Sequence, residues 1–395
     1  MTITLSDRVQ RVKPSPTLAV TARAAELRAA GQDIIGLGAG EPDFDTPDHI
    51  KAAAKQAIDN GMTRYTAVDG TAELKQAIIN KFEGDNGLRY APDQILVSCG
   101  GKQSFYNLAQ ALLNPGDEVI IPAPYWVSYP DMVLLADGKP VIISAGSDQG
   151  FKISPEQLKT AITARTRLVV FNSPSNPTGV AYSRAELGAL GEILRPYPDI
   201  LIATDDMYEH ILWSDEPFCN IVNACPDLYE RTIVLNGVSK AYAMTGWRIG
   251  YAGGPAVLMR AMKKIQSQST SNPASISQAA AQAALEGDQS GLTVMLQAFK
   301  QRHDYVVETL NSLPGFTCLP GDGTFYSFPD VNEAISQIDG VNNDVELAEY
   351  FLAEAGVALV PGSAFGAPGY MRLSYATGLE TLKTALERMR ESLTR

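Results

Sequence analysis

One lysine of this sequence lies in a loop between two apolar segments, where lysine is uncommon. Lys240 follows the apolar run Thr232–Leu235, which has the pattern of a buried strand, and precedes a second run at Ile249–Gly253. Burial and nearby positive charge, such as that of Arg248, would lower the pKa of its amine and prepare it for covalent chemistry with a carbonyl group. Taken alone, such a lysine more often extends from a strand end to solvent.

A glycine-rich turn follows an earlier apolar run, Gln94–Ser98, and opens a helix at Gly101 and Lys102. Glycines allow the backbone to approach an anion closely, and the free N–H groups of a helix N-terminus can bind a phosphate. The turn has neither the GxGxxG pattern nor the Walker spacing, so it is a weak phosphate signal by itself.

Three more strand-end loops carry polar or aromatic side chains. Trp126 could stack on a planar ring or pack in the core, and Asn176 could point its amide into a cleft or serve only the turn. Asp205, at the end of a buried strand, needs a cation or a hydrogen-bond donor, and Tyr208 could reach the same ligand. With Lys240, these groups match the requirements of a pyridoxal phosphate site.

Short apolar runs alternate with helical segments through the middle of the chain. This alternation predicts an α/β fold with a doubly wound, mainly parallel seven-stranded sheet whose ligands bind at the carboxyl ends of the strands. The predicted strands are Gln94–Ser98, Glu118–Ile121, Pro140–Ser144, Arg167–Phe171, Ile200–Thr204, Thr232–Leu235 and Ile249–Gly253. After Pro314 the pattern changes to that of a smaller α+β domain, with strands predicted at Phe316–Leu319, Thr324–Phe328, Gly356–Val360 and Tyr370–Tyr375.

The composition excludes several classes of function. The 395 residues carry a net charge of −12, which argues against a surface for nucleic acid or anionic membrane. The four cysteines and three histidines show no metal-ligand spacing, so neither a metal site nor a disulfide framework is predicted. Because no segment has the length of a membrane span or the character of a signal peptide, we expect a soluble, cytoplasmic protein.

Taken together, the motifs resemble those of the class I aminotransferases, within the fold-type I pyridoxal phosphate enzymes. The most similar branch is that of the bacterial aspartate aminotransferases, some of which also act on prephenate. The resemblance covers essentially the whole chain, and its most specific element is Ser239-Lys240 followed by Thr245-Gly246-Trp247-Arg248. The segments 172–179 and 205–208 are the next most specific.

The resemblance implies a role for each site residue. Lys240 would bind pyridoxal 5'-phosphate and move a proton, Asp205 would keep the pyridine nitrogen protonated, and Tyr208 would bind the ring oxygen. The other cofactor-binding residues would be Gly101, Lys102, Trp126, Asn176, Ser239, Arg248 and, from a partner subunit, Tyr65. The substrate-binding residues would be Gly40, Trp126, Asn176, Arg372, Lys102, Ser15 and Thr17.

Two positions depart from the animal-type enzymes of this family. Gly237 stands where those enzymes have a serine, and Ser239 is the candidate to replace its hydroxyl. In those enzymes an arginine of the partner subunit binds the side-chain carboxylate of the substrate, and this sequence has no clear match for that arginine. In the bacterial branch, Lys102 with Ser15 and Thr17 would take that role, although Lys102 could instead face the cofactor phosphate.

The resemblance also implies the organisation of the chain and its reaction. We expect an N-terminal arm over 1–16, a large cofactor-binding domain over 48–286, and a small domain formed by 17–47 and 287–395. The expected reaction is transamination between L-aspartate and 2-oxoglutarate in a homodimer with shared active sites.

Several alternatives stay open within the fold: an aromatic, prephenate or alanine-type aminotransferase, a lyase, or a cyclopropane-forming synthase. Two others are disfavoured. A cofactor-binding regulator would need a longer DNA-binding extension, and a nucleotide-dependent oxidoreductase would need the absent GxGxxG.

Overall fold

The computed structural model describes residues 3–394 of the chain. Met1, Thr2 and Arg395, at the outer ends of the predicted arm and small domain, lie outside the described residues. The strands are β1 (Ile35–Gly36), β2 (Ile95–Ser98), β3 (Glu118–Ala123), β4 (Lys139–Ser144), β5 (Thr166–Asn172), β6 (Leu201–Asp205), β7 (Thr232–Gly237), β8 (Gly250–Gly253), β9 (Tyr326–Ser327), β10 (Val357–Ala358), β11 (Val360–Pro361) and β12 (Met371–Ser374).

Helices connect these strands and pack against them. The α-helices are α1 (Asp7–Gln10), α2 (Pro16–Ala29), α3 (Asp48–Asp59), α4 (Ala72–Asn86), α5 (Gly101–Leu112), α6 (Ser128–Leu135), α7 (Pro155–Ala161), α8 (Arg184–Leu194), α9 (Ile221–Ala224), α10 (Ala256–Ser267), α11 (Ser275–Glu286), α12 (Ser290–Leu310), α13 (Asn332–Gln337), α14 (Asp344–Tyr350) and α15 (Leu379–Leu393). In the part of the chain that the structure describes, no helix combines the length and apolar character needed to cross a membrane.

A seven-stranded sheet in the order β2-β8-β7-β6-β5-β3-β4 forms the centre of the molecule. Only β8 runs antiparallel to its neighbours β2 and β7, and the other pairs are parallel. The predicted fold class, a doubly wound and mainly parallel sheet with a smaller α+β part, is therefore confirmed. Each of the predicted strands of this sheet is present, with its ends within two residues of the prediction.

Successive residues of these strands pack on opposite faces of the sheet. Val97 and Val169 belong to the core on one face, whereas Leu96 and Leu168 belong to the core on the other. Because both faces are covered by helices, the strands are continuous apolar runs, which is why they could be recognised in the sequence.

A second group of short strands lies outside the large sheet. Strand β12 pairs with β11 and β9 in an antiparallel three-stranded sheet, and β1 pairs with β10 in parallel. They pack with α12 and α15 around a separate core that contains Phe299, Phe351 and Leu386. The domain limits expected at 47/48 and 286/287 fall between helices, and they stay a prediction.

Two small-domain strands differ from the prediction. The segment Phe316–Leu319 makes only the isolated bridge between Thr317 and Asp330, because the N–H of Cys318 donates to the Asn311 side chain at 2.8 Å instead of to a neighbouring strand. The segment predicted at Gly356–Val360 is divided between β10 and β11, which pair with different partners.

The chain before α2 contains one helical turn. Helix α1 is capped by the Ser6 hydroxyl, and Arg8 and Arg11 place their guanidinium groups 2.7 and 2.5 Å from the two oxygens of Asp137. These contacts hold the segment beside α6 and lead the chain to Ser15 at the start of α2.

Candidate active site

The carboxyl ends of the sheet strands open on a cavity of about 430 Å³. The loops after β2, β3, β5, β6 and β7 supply one wall, and the start of α2 together with β9 and β12 supplies the other. The structure brings together every predicted site residue except Tyr65: Ser15, Thr17, Gly40, Gly101, Lys102, Trp126, Asn176, Asp205, Tyr208, Ser239, Lys240, Arg248 and Arg372 all line this cavity.

Lys240 lies in the loop that follows β7, as predicted from the flanking apolar runs. Its Nζ donates to the carbonyl oxygen of Gly40 at 2.5 Å. Burial lowers the pKa of Lys240 to about 8. The negative charge of Glu41 opposes this shift, and the positive charges of Arg372 and Arg248 add to it. A lysine with this pKa is neutral in roughly one molecule in ten at pH 7, far more often than an ordinary lysine. The neutral amine is the form that attacks a carbonyl carbon or accepts a proton.

Asp205 ends β6 and presents its carboxylate to the cavity. One oxygen accepts a hydrogen bond from Tyr129 at 2.5 Å, and Asn172 holds the backbone carbonyl of Asp205 at 2.9 Å. Burial raises the pKa of Asp205 to about 6, although the Tyr129 hydrogen bond favours its charged form. A cationic N–H group in the cavity would restore the ordinary pKa of this carboxylate, since an opposite charge stabilises its ionised form.

Arg372 on β12 is an arginine in an apolar setting, with 2% of its surface exposed. It donates to Asn176 at 2.9 Å and to the carbonyl oxygen of Gly38 at 2.7 Å. Among the described residues no carboxylate pairs with it, and its Nε has no hydrogen-bond partner. A buried guanidinium that is not neutralised by the protein is a receptor for an anionic ligand, and its planar fork matches a carboxylate.

The opposite end of the cavity is formed by the turn before α5. Gly100 has a φ of 87°, and a Cβ there would lie 2.4 Å from the Arg248 guanidinium, so only glycine allows this approach. Arg248 donates to the carbonyl oxygen of Cys99 at 3.3 Å, and the buried Ser239 lines the same cavity. A helix N-terminus, a guanidinium and a hydroxyl are donors suited to a phosphate.

Lys102 is a further cation of the cavity that has no ion pair among the described residues, as is true of Arg372, Lys240 and Arg248. Its ammonium lies 5.2 Å from the ring centroid of Trp126, and burial together with Arg248 lowers its pKa. Ser15 and Thr17 enter the same cavity from the start of α2, and the buried Thr17 hydroxyl has no hydrogen-bond partner within residues 3–394. These groups form an incomplete set of donors for a second anion.

Tyr65 is the one predicted site residue that the structure does not bring to the cavity. Its side chain is 91% exposed in the single chain, in the loop between α3 and α4. The exposure agrees with a residue that acts on a neighbouring subunit, but that role stays a prediction.

Four residues of the site were not identified from the sequence. Tyr129 binds Asp205, Asn172 holds the Asp205 backbone, Tyr326 contacts Tyr208, and Glu41 accepts a hydrogen bond from Thr245 at 2.8 Å. Asn172 could have been found as the first residue after the predicted strand Arg167–Phe171, at the start of the segment 172–179. The other three carry no local signal, because they reach the site through packing between segments that are distant in the sequence.

A second charged cluster lies outside the cavity. Ligand atoms of Asp85, Glu209 and His210 lie within 4.8 Å of one another, as in a metal site. The ammonium of Lys81 already contacts Glu209 and lies 3.7 Å from Asp85, so a positive charge occupies the place that a metal ion would take.

Comparison with known proteins places this arrangement in a family. A family model described as aminotransferase class I and II matches residues 32–389. The chain is 63% identical to an aspartate/prephenate aminotransferase of Nitrosomonas europaea, with 98% of each chain covered. It is 51% identical to an aspartate aminotransferase of Geobacillus stearothermophilus, again with 98% of each chain covered.

Solved structures give the same result. The crystal structure of the Rhizobium meliloti aspartate aminotransferase superposes with a TM-score of 0.96 at 48% identity and covers 100% of both chains. The Thermus thermophilus aspartate aminotransferase with maleate superposes with a TM-score of 0.93 at 44% identity, covering 99% of this chain and 100% of that one. The protein therefore belongs to the class I and II aminotransferases.

Proposed function

We propose that the protein transfers the amino group of L-aspartate to 2-oxoglutarate, forming oxaloacetate and L-glutamate. The observation that carries this proposal is that four cations line the cavity without an ion pair among the described residues. Lys240 and Arg248 suit the cofactor, which leaves Arg372 and Lys102 for the substrate. A dicarboxylic amino acid can occupy both, with its α-carboxylate on Arg372 and its side-chain carboxylate near Lys102. The names of the full-length relatives, and the dicarboxylate maleate that accompanies the Thermus thermophilus enzyme, support a dicarboxylate substrate.

We infer that the cofactor is pyridoxal 5'-phosphate, which when bound draws electrons from the substrate Cα and carries the amino group between the two substrates. The residues present fit it. Asp205 is a carboxylate with a raised pKa that suits a pyridinium N–H, Trp126 offers a ring for stacking, and Ser239 and Arg248 with the start of α5 suit the phosphate. Reduction of the loaded protein with borohydride should fix the cofactor on Lys240, and a label on any other lysine would contradict this assignment.

The roles of the remaining residues follow from their positions. Lys240, released as a neutral amine, takes the proton from the substrate Cα and returns it to another atom, and its lowered pKa suits a base at neutral pH. Arg372 and Asn176, joined at 2.9 Å, hold the α-carboxylate and so orient the Cα–H bond toward Lys240.

Prephenate is a second candidate acceptor. Relatives from Nitrosomonas europaea and Cereibacter sphaeroides, at 63% and 58% identity, are named aspartate/prephenate aminotransferases. Prephenate also carries two carboxylates, which would meet the same two cations. Amino-group transfer from glutamate to prephenate by the purified protein would support this second activity, and a rate no higher than that without enzyme would exclude it.

The substrate assignment is tested by Lys102→Met, assayed on aspartate and on phenylalanine. Loss of a charge-assisted contact should reduce kcat/KM for aspartate by about 1.5–3 kcal/mol, whereas phenylalanine should be almost unaffected. Lys55→Met, which removes an exposed lysine of α3 outside the cavity, is the matched control. Equal losses on both substrates would assign Lys102 to the cofactor and remove the main support for a dicarboxylate substrate.

We further propose a homodimer in the cytoplasm, with Tyr65 of each chain completing the neighbouring site. Support comes from the exposure of Tyr65, at 91%, in a chain whose other predicted site residues converge on one cavity.

A further inference from the structure

Tyr326 touches both the proposed substrate site and the proposed cofactor site, although nothing in its sequence context marks it as functional. It lies on β9 with 1% of its surface exposed and lines the cavity. Its hydroxyl is 3.1 Å from the hydroxyl of Tyr208, and its ring centroid is 4.4 Å from the guanidinium carbon of Arg372. A Cβ added at Gly40 would lie 3.1 Å from the Tyr326 hydroxyl. The phenol is therefore held on three sides.

We propose that Tyr326 is a positioning residue that connects Arg372 to Tyr208, so that a carboxylate bound at Arg372 alters the hydrogen bond that Tyr208 offers to the cofactor ring. The proposal rests on the function proposed above and adds a residue through which the substrate site communicates with the cofactor site. The proposed connection runs through the hydroxyl of Tyr326. The ring by itself would only pack against Arg372.

The direction of the hydrogen bond between the two phenols follows from their surroundings. Burial raises the pKa of Tyr208 well above its ordinary value. Burial also raises the pKa of Tyr326, but the Arg372 guanidinium and the hydrogen bond with Tyr208 offset part of that rise, whereas Glu41 adds to it. Arg372 also lowers the pKa of Tyr208, but there it ranks behind the effects of Tyr326. Either hydroxyl can donate in this pair, and the Arg372 guanidinium, which lies directly against the ring of Tyr326, favours Tyr326 as the donor. When Tyr326 donates to Tyr208, the proton of Tyr208 is free to point into the cavity.

A carboxylate bound at Arg372 changes how strongly Tyr326 donates to Tyr208. It neutralises the charge of Arg372, and the positive field on the Tyr326 ring decreases. Tyr326 then becomes a weaker donor, and because hydrogen bonds in a chain polarise one another, Tyr208 also becomes a weaker donor to its own acceptor. The direct contact between Arg372 and Asn176 at 2.9 Å is a parallel connection, so removal of the Tyr326 hydroxyl should weaken the coupling without abolishing it.

The test uses the cofactor-loaded protein and succinate, a dicarboxylate that cannot react. The absorbance of the bound cofactor is titrated against pH with and without succinate, and the succinate-induced change in the apparent pKa of the chromophore measures the coupling. Tyr326→Phe removes the hydroxyl and keeps the ring on Arg372. Tyr375→Phe is the matched control, because Tyr375 is a buried tyrosine of the same core that is not among the residues lining the cavity.

We expect the succinate-induced change to fall at least about twofold in Tyr326→Phe and to keep its wild-type size in Tyr375→Phe. For aspartate, kcat should fall more than KM rises, because the ring contact with Arg372 is retained. A second variant, Tyr208→Phe, removes the other hydroxyl of the pair. If the connection runs through the pair, the double variant loses no more coupling than the more affected single variant.

A succinate-induced change of wild-type size in Tyr326→Phe, or additive losses in the double variant, would overturn the proposal while leaving the proposed function intact. If Tyr326→Phe does not fold, Tyr208→Phe provides the test. A succinate-induced change of wild-type size in that variant would also overturn the proposal. A wild-type protein that shows no titrating chromophore, or no response to succinate, would instead contradict the function on which the proposal rests.

Discussion

At the level of single residues, the cavity collects charged groups that an ordinary core would exclude. Arg372 is buried without an anionic partner among the described residues, and Asp205 and Lys240 have pKa values displaced by burial in opposite directions. Each of these groups would be stabilised by a ligand of opposite charge, which is the pattern expected where a site is built for binding and catalysis instead of stability.

Asp205→Asn should separate activity from stability. The amide keeps the shape of the side chain and a partner for Tyr129 but removes the charge that would hold a pyridine proton. The rate of the half-reaction with aspartate should fall about 10²- to 10³-fold, as for other preorganised electrostatic groups. Asp199→Asn, in the exposed loop before β6, is the control. Half-reaction rates equal to those of the wild type would exclude this role for Asp205.

In the protein without cofactor, Asp205→Asn should also change how the free energy of unfolding depends on pH. The pKa of Asp205 is raised from 3.8 to about 6 in the folded chain, so the folded state binds more protons than the unfolded state between these values, and its stability falls as pH rises through them. Because asparagine does not titrate, Asp205→Asn should gain free energy of unfolding relative to the wild type as pH rises toward 6. Urea unfolding across this pH range measures the difference.

At the level of elements, a buried polar network joins the segments that carry the proposed cofactor-binding residues. Glu209, in the turn after β6, contacts Lys81 on α4 and accepts hydrogen bonds from Asn86 at 2.7 Å and from Asn236 on β7 at 2.6 Å. Asn236 in turn accepts from the N–H of Gly237, where the loop to Lys240 begins. The turn of Asp205 and Tyr208 and the loop of Lys240 are thus attached to one carboxylate.

Lys81→Met should destabilise the protein strongly, because it leaves the buried Glu209 without its cation. Breaking a buried pair in this way lowers the free energy of unfolding by about 3–5 kcal/mol. Lys51→Met, which removes an exposed ion pair on α3, should change stability little. Urea unfolding of both variants makes the comparison, and similar small losses in both would show that Glu209 does not depend on Lys81.

At the level of the whole molecule, a single chain does not complete the predicted site. The loop with Tyr65 is exposed and lies away from the cavity of its own chain, although the remaining predicted residues converge there. In a two-fold dimer the same surface meets its own copy, so one contact can complete both sites.

Mixing two defective chains tests this arrangement. Lys240→Ala and Tyr65→Ala chains, refolded together, should recover activity, since one site of each hybrid dimer regains both residues. Random pairing would restore about a quarter of the sites. Each variant refolded alone is the control. Hybrids that form without any recovery would show that Tyr65 and Lys240 do not act across the interface.

The sequence alone was sufficient to identify the large sheet and most residues of the site. Apart from the edge strand β4, its strands are buried on both faces and so leave continuous apolar runs. The loops after those runs meet at one edge of a mainly parallel sheet. Lys240, Asp205 and Asn176 could be found for that reason, before any contact between them was known. The motifs around Lys240 then identified the family.

Only the tertiary structure decided how the site is completed. The strands of the small domain are two to four residues long, too short for a periodic pattern, and at Cys318 a side-chain amide replaces the expected strand pairing. Tyr129 and Tyr326 are distant in sequence from Asp205 and Tyr208, and their hydroxyl groups meet them only because helix α6 and strand β9 pack against the large sheet edge. Such contacts depend on the packing of whole elements, which no local pattern of residue types encodes.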